Sequence, residues 1–134
     1  MRTITLLLVL GYAITCIGAG LLGILVPHHE MSLLYNLHPT EVPDLNGATL
    51  LNQWRFLKAM ELGAGLFMMA RLGDIMAGGS DRRLFTCIVA TGIAARLLAW
   101  VMDGRPSLFL IIFLALEILL LAALLIEDRI ANAA

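Results

Sequence analysis

Five ionisable residues lie inside stretches that are otherwise apolar enough for a lipid bilayer: Arg55, Lys58 and Glu61 in one stretch, Arg96 in a later one and Glu117 in the last. A central Arg, Lys or Asp in a membrane helix costs about 2.5–3.5 kcal/mol on insertion scales, so such side chains should face the protein interior and pair. Gathered there, the cations could hold the carboxylate or headgroup of an anionic ligand. Glu61 and Glu117 could hold the cations in place or relay protons. Asn52 and Gln53, just ahead of Arg55, belong to the same polar group.

The elements that must position these residues follow from composition. The 134 residues are 60% hydrophobic and 14% charged, against about 45–50% and about 25% for a soluble domain. That deficit of charge implies lipid as solvent. A net charge of -1 without a basic run argues against nucleic acid, whose binding needs clustered Lys and Arg. Crossing a ~30 Å hydrocarbon core takes about 20 apolar residues. Four segments qualify, about 3–26, 50–72, 84–102 and 107–126, joined between the first two by an outer loop over 27–49. Pro27 stops the first, Gly73-Asp74 and Gly78-Gly79 follow the second, Asp103-Gly104 ends the third, and Pro106 suits the start of the fourth. The expected fold is therefore all-α, an integral membrane bundle of four transmembrane helices in the inner membrane. Arg2, Arg71, Arg82, Arg83 and Arg129 lie at the termini and the second connection, whereas the other two connections offer only Arg105. By the positive-inside rule both termini are expected to be cytoplasmic.

Depth along the helices sharpens the constellation. Counted from the outer ends at ~1.5 Å per residue, Arg55 lies roughly 8 Å down, Arg96 about 10 Å, Lys58 about 12 Å, and Glu61 and Glu117 near ~15 Å. The five are expected in one outer-half layer. Three cations face two carboxylates, and Asp103, two turns from Arg96 on the same helical face, is the natural counter-charge. Such a layer could be a latch that fixes helix register, in which a pair broken on one side costs ~3–5 kcal/mol. It could equally be a polar chamber open to the outer face.

Other features carry weaker chemistry. His28-His29-Glu30, with His38, Glu41 and Asp44 nearby, offers zinc or copper ligands. The spacing matches no closed site, so a solvated loop is the reading and metal at His28, His29 and His38 the minority alternative. Leu33, Leu34, Tyr35 and Leu37 in that stretch suggest an interfacial helix or a cap. Gly11, Thr15, Ala19 and Gly23 form a four-residue stripe that would let another helix approach the first closely. Cys16 and Cys87 sit in apolar runs and read as thiols, small buried hydrophobes. No phosphate-binding glycine loop, Gly-x-Ser-x-Gly elbow or His-Glu-x-x-His helix is present, so neither enzyme nor cofactor is expected.

The stretch Asn52-Gln53-Trp54-Arg55-Phe56-Leu57-Lys58-Ala59-Met60-Glu61-Leu62-Gly63 resembles the second-helix motif of a bacterial membrane family known as domain of unknown function 4345, with its BphX-like relatives from biphenyl operons. Ala95-Arg96-Leu97, Asp103-Gly104-Arg105-Pro106 and Glu117 are similar to that family's later signature. The resemblance implies a small four-helix inner-membrane protein of unestablished activity, and suggests that Arg55, Glu61, Arg96, Asp103 and Glu117 belong together. The leading expectation is a protein that binds a small or lipid-like ligand in an outer-facing polar chamber, or serves as an accessory subunit of a membrane complex. A small proton-coupled transporter, which would need to be a homo-oligomer, and a ligand-free ion-pair latch are the alternatives. Membrane lipid, a membrane-protein partner or further copies of the chain are the expected partners.

Overall fold

The computed structural model describes residues 2–36, 38 and 44–133. All regular structure among them is helical: α1 Arg2–Leu25, α2 Pro27–Tyr35, α3 Asp44–Ala70, α4 Leu72–Ala77, α5 Ser80–Asp103 and α6 Leu108–Ala133. Contacts divide the chain into two compact units, Ala13–Phe67 on one side and Met1–Tyr12 with Met68–Ala134 on the other.

The elements extend past the apolar runs because helical backbone does not stop where hydropathy does. α3 begins six residues before Leu50, α5 takes in Ser80–Arg83, and α6 continues through Glu127, Asp128 and Arg129. The expected outer loop is in part helix. Pro27 occupies the first turn of α2, where its missing N–H costs nothing. Asn36, left-handed at φ 54°, closes the helix by donating its N–H to the Met31 carbonyl. The connection after α3 likewise contains α4, bounded by Gly78 and Gly79 at φ 92° and 88°. Gly104 at φ 94° ends α5, a backbone that an L side chain would strain.

Three helices, α1, α5 and residues 108–130 of α6, are long and apolar enough to cross a membrane. The expected fourth, α3, is long enough at 27 residues but carries Arg55, Lys58 and Glu61 in its middle. Large apolar side chains stand outward, among them Leu25, Val101, Met102 and Leu108. A surface of that kind matches lipid rather than water.

Within Ala13–Phe67, α1 and α3 approach closely at three glycines. A Cβ added to Gly20 would stand 2.7 Å from the Leu62 backbone N, and one at Gly65 would stand 2.9 Å from the Ala13 carbonyl oxygen. At Gly23 it would meet the Lys58 side chain of α3 and stand 2.5 Å from Glu30 Oε2 of α2. Only Gly23 of the expected stripe's two glycines takes part, since a Cβ at Gly11 would meet nothing within 4 Å. The stripe ran one residue off at its centre: Gly20, not Ala19, sits at the crossing. In the other unit α4 and α6 pack against α5. Cys16 is buried, whereas Cys87 is exposed and so is not the buried hydrophobe expected.

Candidate functional site

Beside a more exposed cluster of Arg71 with Asp74 and Asp81, three groups of ionisable residues include a buried member, each group within one unit. The first surrounds Lys58, which is 5% exposed. Its Nζ lies 2.7 Å from Glu61 Oε2, one helical turn on, and 2.8 Å from Glu30 Oε1. Glu30 Oε1 meets Lys58 as an ion pair at that separation and accepts no hydrogen bond. Glu30 is 2% exposed, and its Oε2 accepts from Trp54 Nε1 at 2.8 Å. Lys58 also donates to Tyr35 Oη at 3.3 Å and lies 5.5 and 5.3 Å from the Tyr35 and Trp54 ring centroids. Those rings meet edge to face at 85°. Burial raises the Tyr35 phenol above its ordinary pKa, although the Lys58 charge and hydrogen bond pull it back. Lys58 thus makes two hydrogen bonds and a second ion pair, and two aromatic rings and two carboxylates enclose the ammonium. Arg55 stands apart from this group: exposed, it donates Nε to the Ile24 carbonyl at 3.3 Å. Asn52 and Gln53 are exposed.

The second group joins α5 to α6. Arg96 Nε donates to Glu117 Oε2 at 2.9 Å, and Tyr12 Oη donates to Glu117 Oε1 at 3.1 Å. Glu117 is 3% exposed, while the Arg96 side chain is 36% exposed. Among the described residues the Nη groups of Arg96 have no partner. Arg96 also lines an open pocket of about 260 Å³ at the α5–α6 connection, with Ala99, Trp100, Asp103, Arg105 and Leu110. Asp103 was expected to supply the counter-charge for the cation left over in the layer. It is exposed and lines the same pocket, but the pairing carboxylate is Glu117, and among the described residues Asp103 and Arg105 form no ion pair.

The third group was not anticipated. Arg82, 4% exposed, donates Nε to the Ile75 carbonyl and Nη2 to the Met76 carbonyl, each at 2.7 Å. It also reaches Asp128 Oδ1 at 3.0 Å and Glu127 Oε2 at 3.4 Å. The guanidinium caps the carbonyl end of α4 and ties it to the end of α6.

Glu30, Tyr35, Trp54 and Tyr12 were missing from the expected constellation as well. Glu30 was taken for a loop ligand beside His28 and His29, yet helix α2 turns it inward and leaves both histidines exposed. That separation is why the three do not converge on a metal. His38 is exposed, and Glu41 and Leu37 lie outside the described residues. Among the described residues no three His, Cys, Asp or Glu side chains are grouped as a metal site.

An all-helical chain with membrane-length helices and charge pairs buried between them defines the class. The chain belongs to the family described as Domain of unknown function (DUF4345), whose model matches residues 4–126. No curated protein and no solved structure matches it.

Proposed function

We propose that the chain is an inner-membrane protein of four spans with both termini cytoplasmic, and that it binds the anionic group of a small or lipid-like ligand in the pocket at the outer end of α5 and α6. The count of four takes α3 as the span that the hydropathy of its charged middle disguises. Lys58 is paired inside the protein with Glu30 and Glu61, so that charge need not meet lipid. Arg71, Arg82, Arg83 and Arg129 cluster at the opposite end from the pocket, as positive-inside loops would.

One observation carries the binding reading. Glu117 grips Arg96 by Nε alone, which fixes the planar fork while leaving its Nη donors available at the wall of the pocket. That geometry suits bidentate recognition of a phosphate or carboxylate. Lys58 and Glu61, by contrast, belong to a latch. The reading is of a binding protein, with no catalytic step assigned to any residue.

Native mass spectrometry of the protein extracted in mild detergent tests this. The wild type should carry a bound phosphate- or carboxylate-bearing species that Arg96→Gln lacks, with helical content near wild type in both and a lowered melting temperature in the variant, whose buried Glu117 loses its counter-ion. Equal retention by Arg96→Gln would refute the site.

A further inference from the structure

The pocket beside Arg96 holds more charge than anion recognition requires. Arg96, Arg105 and Asp103 all line it. Among the described residues Arg105 and Asp103 make no ion pair, and Arg96 is already neutralised by Glu117. What the pocket offers a ligand is therefore guanidinium donors together with one uncommitted carboxylate. A ligand carrying only negative charge would leave Asp103 facing a like charge. A ligand with an anion and an ammonium a few bonds apart would satisfy both kinds of group.

The neighbourhood identifies the source of such a zwitterion. The pocket lies where α5 ends at Asp103 and α6 begins at Leu108, which is the depth of lipid headgroups if both helices span. Trp100 is part of its lining, an aromatic suited to that interface. Val101, Met102, Leu108 and Phe109 around it are 85%, 74%, 67% and 47% exposed. A free solute would find no use for those apolar side chains, whereas acyl chains would lie along them.

We infer that the pocket selects a phospholipid whose headgroup bears a primary amine, with the phosphate on Arg96 and Arg105 and the ammonium on Asp103. This rests on the binding reading above and adds to it the identity of the headgroup. Asp103 is then a specificity-determining residue. It accepts N–H bonds that the quaternary nitrogen of choline cannot donate and that glycerol supplies only as neutral hydroxyls.

The test is competition between phosphatidylethanolamine, phosphatidylglycerol and phosphatidylcholine of identical acyl chains, added to delipidated protein in detergent and read by native mass spectrometry. The wild type should favour phosphatidylethanolamine by roughly tenfold, the scale of one partly exposed charge-assisted hydrogen bond. Asp103→Asn should bring that preference below about twofold while phosphatidylglycerol still binds, since an exposed residue without a partner is dispensable for folding. Arg96→Gln should lower retention of all three. If the wild type holds the three headgroups equally, or if Asp103→Asn keeps the preference, the amine assignment is wrong and the anion site stands. Failure of the wild type to hold any lipid overturns both. Binding of free phosphoethanolamine as tight as that of the lipid would overturn the lipid source.

Discussion

If the Lys58 cluster is a latch, its energetics should show the asymmetry of a buried ion pair. Breaking such a pair on one side leaves an uncompensated charge and costs ~3–5 kcal/mol, whereas replacing both partners by apolar residues of similar size is often neutral or stabilising. In Glu30→Ala, Lys58 keeps Glu61 at 2.7 Å, a partner whose side chain is 32% exposed, so the charge is only partly orphaned. The Trp54 indole loses its acceptor as well. Together these set the expected loss at about 3 kcal/mol. Lys58→Met leaves Glu30, buried to 2% exposure, without a counter-ion and should cost ~3–5 kcal/mol. The pair Glu30→Leu with Lys58→Met removes both buried charges and leaves the indole N–H and the partly exposed Glu61 carboxylate unpaired, about 2 kcal/mol. The double variant should thus be more stable than Lys58→Met alone. Equilibrium unfolding in mixed micelles of dodecyl maltoside and SDS measures this, with Trp54 fluorescence as the signal in a Trp100→Phe background that removes the other of the two tryptophans. A double variant that loses the sum of the single losses would refute the latch, as would a Glu30→Ala loss below about 0.5 kcal/mol.

Three further outcomes concern α1 and α2. Gly20→Ala places a Cβ 2.7 Å from the Leu62 backbone N, a contact that only a helix shift can relieve, and should cost about 1–3 kcal/mol in the same unfolding assay. Gly11→Ala, with nothing within 4 Å of the new methyl, should be neutral or stabilise by up to ~1 kcal/mol through helix propensity. Tyr35 gives the pH dependence. Its folded pKa is raised by burial, so the folded protein keeps the phenolic proton to higher pH than the unfolded chain. Stability from this group is then complete below about pH 10 and falls as pH rises from there through the folded value. Absorbance at the phenolate band in Tyr12→Phe, which leaves Tyr35 as the remaining tyrosine of two, should titrate above the free phenol, and Lys58→Met should push it higher.

How much of this was legible in the sequence depended on whether a short connection fixed the register. The α5–α6 hairpin has four residues between helices, 104–107. Arg96 lies seven residues before Asp103 and Glu117 nine after Leu108, so an antiparallel pair brings them level. The same count carried down the helices sets Arg82, 21 residues before Asp103, against Asp128, 20 after Leu108. Arg82 was nevertheless missed, because the apolar window ended at Ile126 and the charged turns at both helix ends were treated as loop. The Lys58–Glu61 pair, three residues apart on one helix, follows from helical periodicity alone. Glu30 does not. Its partner is 28 residues away across a connection that hydropathy reads as loop, and no count sets register there. Asp103 differs again: helical periodicity puts it on the face of Arg96, but the hairpin count sets Glu117 level with that cation, and Glu117 is the carboxylate that pairs with it.

The three charge groups differ in the hydrogen-bonding capacity they leave over, and that difference separates structure from function. Lys58 has three N–H donors and finds Glu30, Glu61 and Tyr35 within 3.3 Å. Arg82 engages Nε and both Nη groups with two carbonyls and two carboxylates. Enclosed cations of this kind hold elements in place, because any ligand would first have to displace a partner already beside them. Arg96 has five N–H donors and commits one, to a carboxylate that Tyr12 also holds. Its Nη groups, at a pocket wall shared with an uncommitted Arg105 and Asp103, have capacity that only something outside the described chain can use. Burial alone would have ranked Lys58 and Arg82 above Arg96 as functional candidates, and the count of unspent donors reverses that order.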